Sequence, residues 1–279
     1  MEISFFRLSF YKTKTKNLYK HFKLKIFTFF FTQRYFKKVY NNWGSAELDS
    51  TGYNSDIILE KCKIAQLKVI RGEARYERDS VIFHESSFHW QLLATIQFLA
   101  IENSDQITIL DFGGSLGSLF FQNRSMLNLK NKINWLIVEQ DNFVKCGNDF
   151  FSNTELSFFN SVESAIEFKN PDLIILSSVL QYIEHPQELI GKLLSSNPKY
   201  IIIDRTPNSL IDNDYITVQE VPTYIYPASY PCWIFSKKKL ISYFSNFSLI
   251  SEFNSNITEN IYFNNDIINW NGFLLKKID

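Results

Sequence analysis

Ile107-Thr-Ile-Leu-Asp-Phe-Gly-Gly-Ser-Leu-Gly-Ser-Leu-Phe-Phe121 is a short apolar run ending at Asp111, then a glycine-rich turn, then an amphipathic segment. That order predicts a buried strand feeding a helix through a turn shaped for a ligand. Gly113, Gly114 and Gly117 let the backbone take positive φ and lie close to a bound molecule. The free N–H groups at the new helix start offer donors to polar or anionic ligand atoms. Asp111, at the strand tip, accepts hydrogen bonds from hydroxyls or an amine. The order Asp-x-Gly-x-Ser-x-Gly departs from the Gly-x-Gly-x-x-Gly dinucleotide fingerprint, which disfavours a nicotinamide-dependent oxidoreductase.

Outward from this stretch the pattern repeats. Ile133-Asn-Trp-Leu-Ile-Val-Glu139 is a second strand, followed by Gln140, and Glu139 sits where doubly wound folds hold a ribose diol. The plain alternative is a solvated strand-end acid. Leu156-Ser-Phe-Phe159 is a third strand whose tip, Asn160-Ser161, is either an adenine contact or an ordinary turn. The fourth, 171–177, is almost wholly apolar, as a strand covered on both faces should be, and ends at Ser177-Ser178. A fifth, Tyr200-Ile-Ile-Ile-Asp204, leads into Arg205-Thr-Pro207. Residues 248–253 and 272–276 read as a closing antiparallel pair. Strands alternating with helical segments predict an α/β fold with a mostly parallel sheet and its ligand outside the carboxyl ends of the strands. Asp111, Glu139, Ser177, Ser178 and Asp204 all fall at those ends.

A chain of 279 residues with 45% hydrophobic side chains can bury one enzyme-sized core and an appendage. The formal charge of zero gives no reason to expect a nucleic-acid partner. It conceals an asymmetry: residues 1–38 hold ten basic side chains against one acid, interleaved with phenylalanines, while the remainder is acidic. The longest apolar run of this arm, 26–31, falls far short of the ~20 residues that span a bilayer. No small-residue cleavage site follows it. Such a segment docks peripherally on an anionic membrane face or packs on the acidic body, with RNA binding a distant third.

Three scattered cysteines without Cys-x-x-Cys read as reduced thiols of a cytoplasmic protein. The four histidines lack metal-ligand spacing, so no metal is expected. The organisation expected is a basic aromatic arm over 1–40, a helical cap over 41–105 and the sheet domain over 106–279. Within the cap, 72–79 is dense in charge and reads first as a solvated helix face; where the cap closes over a ligand as a lid, Glu77, Arg78 and Asp79 reach the site instead. Within the sheet domain, 206–235 is a proline-stiffened aromatic insertion. It either walls a pocket, offering Tyr226, Tyr230 and Trp233 together with Tyr182 to a sugar ring or other flat surface, or buttresses the sheet edge.

Several segments carry a closer likeness. Ser50-Thr-Gly-Tyr53, Gly72-Glu-Ala-Arg-Tyr-Glu-Arg-Asp-Ser80, Leu110-Asp-Phe-Gly-Gly-Ser-Leu-Gly-Ser118, Phe121-Gln-Asn-Arg124 and Val138-Glu-Gln140 are five of them. Ser177-Ser-Val-Leu-Gln-Tyr182, Asp204-Arg-Thr-Pro207 and Tyr226-Pro-Ala-Ser-Tyr-Pro-Cys-Trp233 complete the set. In this order, from about Trp43 to Phe253, the chain resembles a family of S-adenosylmethionine-dependent methyltransferases found among bacterial surface-polysaccharide genes. The acceptor of that family is unassigned, and the basic arm lies outside the pattern.

The resemblance implies a Rossmann-like sheet of seven strands, the last antiparallel, beneath an N-terminal helical lid. It implies S-adenosyl-L-methionine as cofactor and methyl transfer to a small-molecule or glycan acceptor. On that view Asp111, Gly113, Gly114, Ser115 and Gly117 hold the methionine and ribose part, and Glu139 with Gln140 the ribose diol. Asn160 and Ser161 hold the adenine, with Ser177 and Ser178 nearby. A base is needed if the acceptor is a hydroxyl. Asp204, ending a core strand, is the first candidate and His185 the second, while Arg205 orients an acceptor phosphate or carboxylate. A non-catalytic protein that keeps the fold to bind a nucleotide, associated with the membrane through its arm, is the competing reading.

Overall fold

The alternation of apolar strands and helices forms one large sheet in the computed structural model, which describes residues 35–52, 55–102, 106–127, 133–223, 225–255 and 261–278. The chain begins with β1 (Phe36–Tyr40), α1 (Trp43–Leu48), α2 (Ser55–Ile70), a hairpin of β2 (Tyr76–Arg78) and β3 (Val81–Phe83), and α3 (Trp90–Glu102). The wound part follows: β4 (Ile107–Phe112), α4 (Ser118–Asn123), β5 (Ile133–Val138), α5 (Asp141–Phe150), β6 (Leu156–Phe159), α6 (Val162–Phe168), β7 (Leu173–Ser177) and α7 (Pro186–Leu194). The last third holds β8 (Tyr200–Ser209), β9 (Tyr215–Glu220), β10 (Ser229–Ser236), α8 (Lys237–Ser242), β11 (Phe247–Asn254), β12 (Ile261–Phe263) and β13 (Asp266–Lys277).

Across the sheet the order is β6-β5-β4-β7-β8-β13-β11. The first five strands are parallel, β13 runs antiparallel to β8, and β11 runs antiparallel to β13. This is the expected α/β, Rossmann-like sheet, mostly parallel and with its last strand reversed. Alternation along each strand sends side chains to two cores. Ile109, Trp135 and Ile202 pack with α3, α4 and α5 on one face. Leu110, Leu136 and Ile203 pack with α6, α7 and α8 on the other. Because both faces are covered, the strands are apolar throughout, which is what made them visible in the sequence.

The seven expected strands are extended to a sheet of eleven. β8 runs five residues beyond its last pairing with β7 at Asp204. Its far end pairs in parallel with β10, at Asn208 and Ser209. β10 pairs with β9, and β9 with β1. The insertion is thus a hairpin that continues the sheet. Residues 36–40, assigned from sequence to the arm, are its edge strand, which buries Phe36 and Tyr40 and leaves Lys37, Lys38 and Val39 exposed. The rest of the arm, 1–34, lies outside the described residues.

The cap, 41–105, divides in two. α1 and α2 cover the carboxyl ends of the strands as a lid, whereas α3 buries Leu92, Ile96 and Leu99 beneath the sheet. The stretch 72–79 is not a helix face. Gly72 ends α2 at φ 75°, and Asp79 and Ser80, at φ 51° and 68°, make the two-residue turn of the β2–β3 hairpin.

β13 offers a test of the packing. Gly272 lies opposite Phe253 at a register shift, and a Cβ built there would overlap the Phe253 ring. Gly272→Ala is expected to cost about 1–3 kcal/mol by overpacking. Scanning calorimetry should show a lower melting temperature; an unchanged one would mean that the ring swings aside freely.

Candidate active site

At the carboxyl ends of the strands lies a cavity of about 1120 Å3. It opens where β4 has β5 on one side and β7 on the other, the switch point at which open α/β sheets bind ligands. Single small-molecule sites run to about 1,000 Å3, so the space suits two ligands side by side.

Asp111 stands at its floor, 1% exposed. Its Oδ2 accepts a hydrogen bond from Trp135 Nε1 at 3.1 Å, whereas the buried Oδ1 has no partner among the described residues. Burial pushes this carboxyl up to about 7, against the Trp135 bond and the Arg205 charge. The turn above it depends on its glycines. Gly113 has φ 73°, and a Cβ there would meet Val179 at 2.6 Å; a Cβ on Gly114 would meet the Asp111 carboxyl at 2.7 Å. Gly117, at φ 95°, starts α4 and does not itself line the cavity.

Glu139 lines the cavity beyond the tip of β5. Its Oε1 accepts from Ser115 N and its Oε2 from Gln140 N, each at 3.0 Å. One acceptor position is left on each oxygen, the pattern that suits a vicinal diol. Burial pushes its carboxyl upward. Gln140 and Asn160 line the same end. Ser161 does not: its hydroxyl caps α6, accepting from Ser164 N at 3.1 Å.

On the other side of β4 the cavity is bounded by Ser177, Ser178 and Arg205, with Tyr182, Tyr226 and Tyr230 as its aromatic wall. Arg205 Nε donates to Ser177 Oγ at 3.2 Å, and its Nη1 is 3.5 Å from Asp79 Oδ2. Asp79, Ser115, Ser178 and Arg205 all line the cavity at positive φ. Strained residues concentrate where surrounding structure over-determines them, commonly at binding sites.

Three further residues assigned from sequence, Asp204, His185 and Trp233, lie away from the cavity. Asp204 does not line the cavity, and both its oxygens are occupied. Oδ2 bonds His89 Nε2 at 3.1 Å, and Oδ1 accepts from Ser255 Oγ, which itself accepts from Arg205 N. His89 Nδ1 accepts from Leu92 N, so its proton sits on Nε2 and is donated to Asp204. Burial raises the Asp204 carboxyl, yet the His89 bond, the Arg205 charge and the Ser255 bond outweigh it and hold the carboxyl below its usual range. A carboxylate so held anchors a turn and is a poor base. His185, with its side chain 66% exposed, lies with Trp233 in a separate, smaller pocket of about 250 Å3. There Trp233 Nε1 donates to the carbonyls of Ile183 and Glu184.

Sequence reasoning gave Glu77, Arg78 and Asp79 to the site only as the lesser alternative, and it missed His89 and Trp135. Glu77 is 2% exposed and accepts from Ser118 Oγ at the start of α4 and from Ser80 N. It ties the hairpin to the glycine turn, and Arg78 and Asp79 line the cavity as a result.

No protein-family model matches the chain, and no curated protein matches it. Among solved structures it is similar to the N-terminal domain of EvdMO1, crystallised with S-adenosylhomocysteine and D-fucose. The identity is 11%, over 81% of this chain and 98% of that one, with a TM-score of 0.46. It is similar also to an S-adenosylmethionine-dependent methyltransferase from Clostridium acetobutylicum (12% identity, 78% and 98% covered, TM-score 0.43). A third is CalS10, an amino pentose methyltransferase from Micromonospora echinaspora, bound to S-adenosylmethionine (8%, 69% and 92%, TM-score 0.44).

The buried acids make stability depend on pH. Burial pushes Glu77 up to about 7, with the Asp79 charge adding to it and the Ser118 and Ser80 bonds opposing it. From its ordinary value of 4.5 up to about 7, folded Glu77 keeps a proton that the unfolded chain releases, so stability falls as pH rises through that window. Glu77→Gln keeps the shape, accepting from Ser80 N and donating to Ser118 Oγ. Melting curves from pH 4.5 to 8 should show a shallower fall in the variant; parallel slopes would remove Glu77 from the cause.

Proposed function

We propose that the protein is an S-adenosylmethionine-dependent methyltransferase acting on a sugar or glycan precursor of a surface polysaccharide. The observation that carries this reading is the buried, partnerless Oδ1 of Asp111 beneath a glycine turn at the switch point. A buried acceptor without a donor costs about 1–3 kcal/mol, which a ligand amine or hydroxyl would recover. The donor set fits the cofactor. Asp111 and the 113–115 backbone would hold the methionine part, Glu139 the ribose diol, and Asn160 with Gln140 the adenine. Bound there, the cofactor supplies a methyl group on a sulfonium.

The chain's own part is to orient and exclude. The glycine turn and Val179 close one side of the cavity, and Tyr182, Tyr226 and Tyr230 present ring faces and edges to an acceptor. The sugar assignment draws on that aromatic wall and on the sequence resemblance. Asp204, through Ser255, is a positioning residue that fixes the Arg205 turn. Asp79, at the wall and 58% exposed on its side chain, is the carboxylate placed to take a proton from an acceptor hydroxyl. On this reading the work is done in the cytoplasm, with residues 1–38 available to an anionic membrane face or to the acidic body. Among the described residues no helix is long and apolar enough to cross a membrane.

Calorimetric titration with S-adenosylhomocysteine tests the reading. Asp111→Asn and Glu139→Ala should each weaken binding by about 1.5–3 kcal/mol, while melting temperatures stay near that of the parent. The affinity of the parent should rise with pH up to about 7, as Asp111 ionises, and then level off. That rise should be lost in Asp111→Asn. No binding, or binding indifferent to both substitutions, would overturn the cofactor assignment. Binding with no methyl transfer to a broad sugar panel would favour the non-catalytic reading.

A further inference from the structure

Arg78 closes β2 at the cavity wall, half-buried, and its guanidinium makes no hydrogen bond or ion pair among the described residues. The Tyr76 ring faces it, with Cζ 5.8 Å from the centroid, a distance at which cation–π attraction is weak. Burial and the Arg205 charge both push the Arg78 guanidinium downward, with Tyr76, Asp79 and Asp204 acting against them. Arg205 has spent only part of its donor set, on Ser177 and Asp79. A half-buried guanidinium with five unengaged N–H donors, in a cavity whose Asp79 carboxylate is already engaged by Arg205, is a costly arrangement until an acceptor reaches it.

Strand order locates Arg205. Glu139 and Asn160 follow β5 and β6 on one side of β4, whereas Arg205 follows Asp204, the last β8 residue paired with β7, two strands to the other side. At ~4.8 Å per strand, Arg205 stands on the order of 10 Å from the β4 tip, away from the nucleoside end. The Tyr182–Tyr230 pair, edge to face at 4.9 Å, flanks the same side. We infer that the acceptor carries an oxyanion, a carboxylate or a phosphate, and that Arg78 and Arg205 grip it while the tyrosines hold the body of the molecule. The planar fork of each guanidinium matches two oxygens of either group. The inference rests on the methyltransferase reading for the direction of the cavity. It narrows the acceptor from sugars in general to acidic sugars or sugar phosphates.

The experiment titrates glucuronate, glucose 1-phosphate and methyl glucoside into the protein saturated with S-adenosylhomocysteine. One or both anionic probes should bind, more weakly as salt rises, and the neutral glycoside should bind at least about tenfold more weakly. The two anionic arms separate carboxylate from phosphate. Arg78→Gln should lower affinity for the anionic probe at least about tenfold, with Arg78→Lys intermediate and the S-adenosylhomocysteine affinity unchanged. Equal binding of the neutral probe, or no binding by either acid, overturns the inference. So does a loss in Arg78→Gln that falls on S-adenosylhomocysteine alone, which would give the guanidinium to the cofactor's own carboxylate. If the parent does not bind S-adenosylhomocysteine, the cofactor reading fails by itself. The same probes on the unloaded protein, with the same Arg78 variants, then decide the oxyanion site.

Discussion

The ladder of β8 is the constraint from which the rest of the architecture follows. A ten-residue strand in the middle of a sheet has backbone groups on both edges, and buried ones must be paired. β13 serves one edge along nearly its full length. On the other edge β7 ends at Asp204, and β10 takes over only at Asn208. Between them lies a gap at 205–207, where Pro207 has no N–H to pair and Arg205 turns to positive φ. The insertion that supplies β10 therefore completes the sheet and also builds the wall of the cavity. Gln181 bridges the gap, its Nε2 reaching Ser178 Oγ and the Arg205 carbonyl.

The cavity is organised by acids held in different electrical states. Asp111 and Glu77 are pushed up by burial, while Asp204 is held down by donors on both oxygens. Neighbouring carboxyls thus do different work: one waits for a donor, one fastens a hairpin, and one fixes a turn. His89 joins two of the layers, capping α3 with one nitrogen and holding Asp204 with the other. Its tautomer is settled by the helix, so the orientation of the β8 tip depends in part on a helix beneath the sheet.

What could be read in the sequence was whatever repeats locally. Strands covered on both faces are apolar runs, and the glycine turn after Asp111 announces itself because positive φ and close approach leave few alternatives. The length of β8 was hidden by Pro207, which reads as a stop and is tolerated only because that stretch lacks a neighbour on one edge. The 72–79 segment misled for a related reason. Its charges suggest solvent, yet Glu77 is buried against Ser118, 41 residues away, and no local pattern encodes that contact. Asp79-Ser80 between two short β-prone runs was the available signal for the hairpin. Asp204 reads as a strand end, whereas only the pairing with β7 ends there, and the roles of its oxygens are set by His89 and Ser255, distant in sequence.

The edge strand β1 has a consequence for how the chain meets its surroundings. Tyr35 lines the cavity, and β9 grips the residues that follow it. The basic segment 1–34 accordingly joins the body at the cavity wall. Anything that loosens β1 from β9 disturbs a wall of the cavity as well as an edge of the sheet.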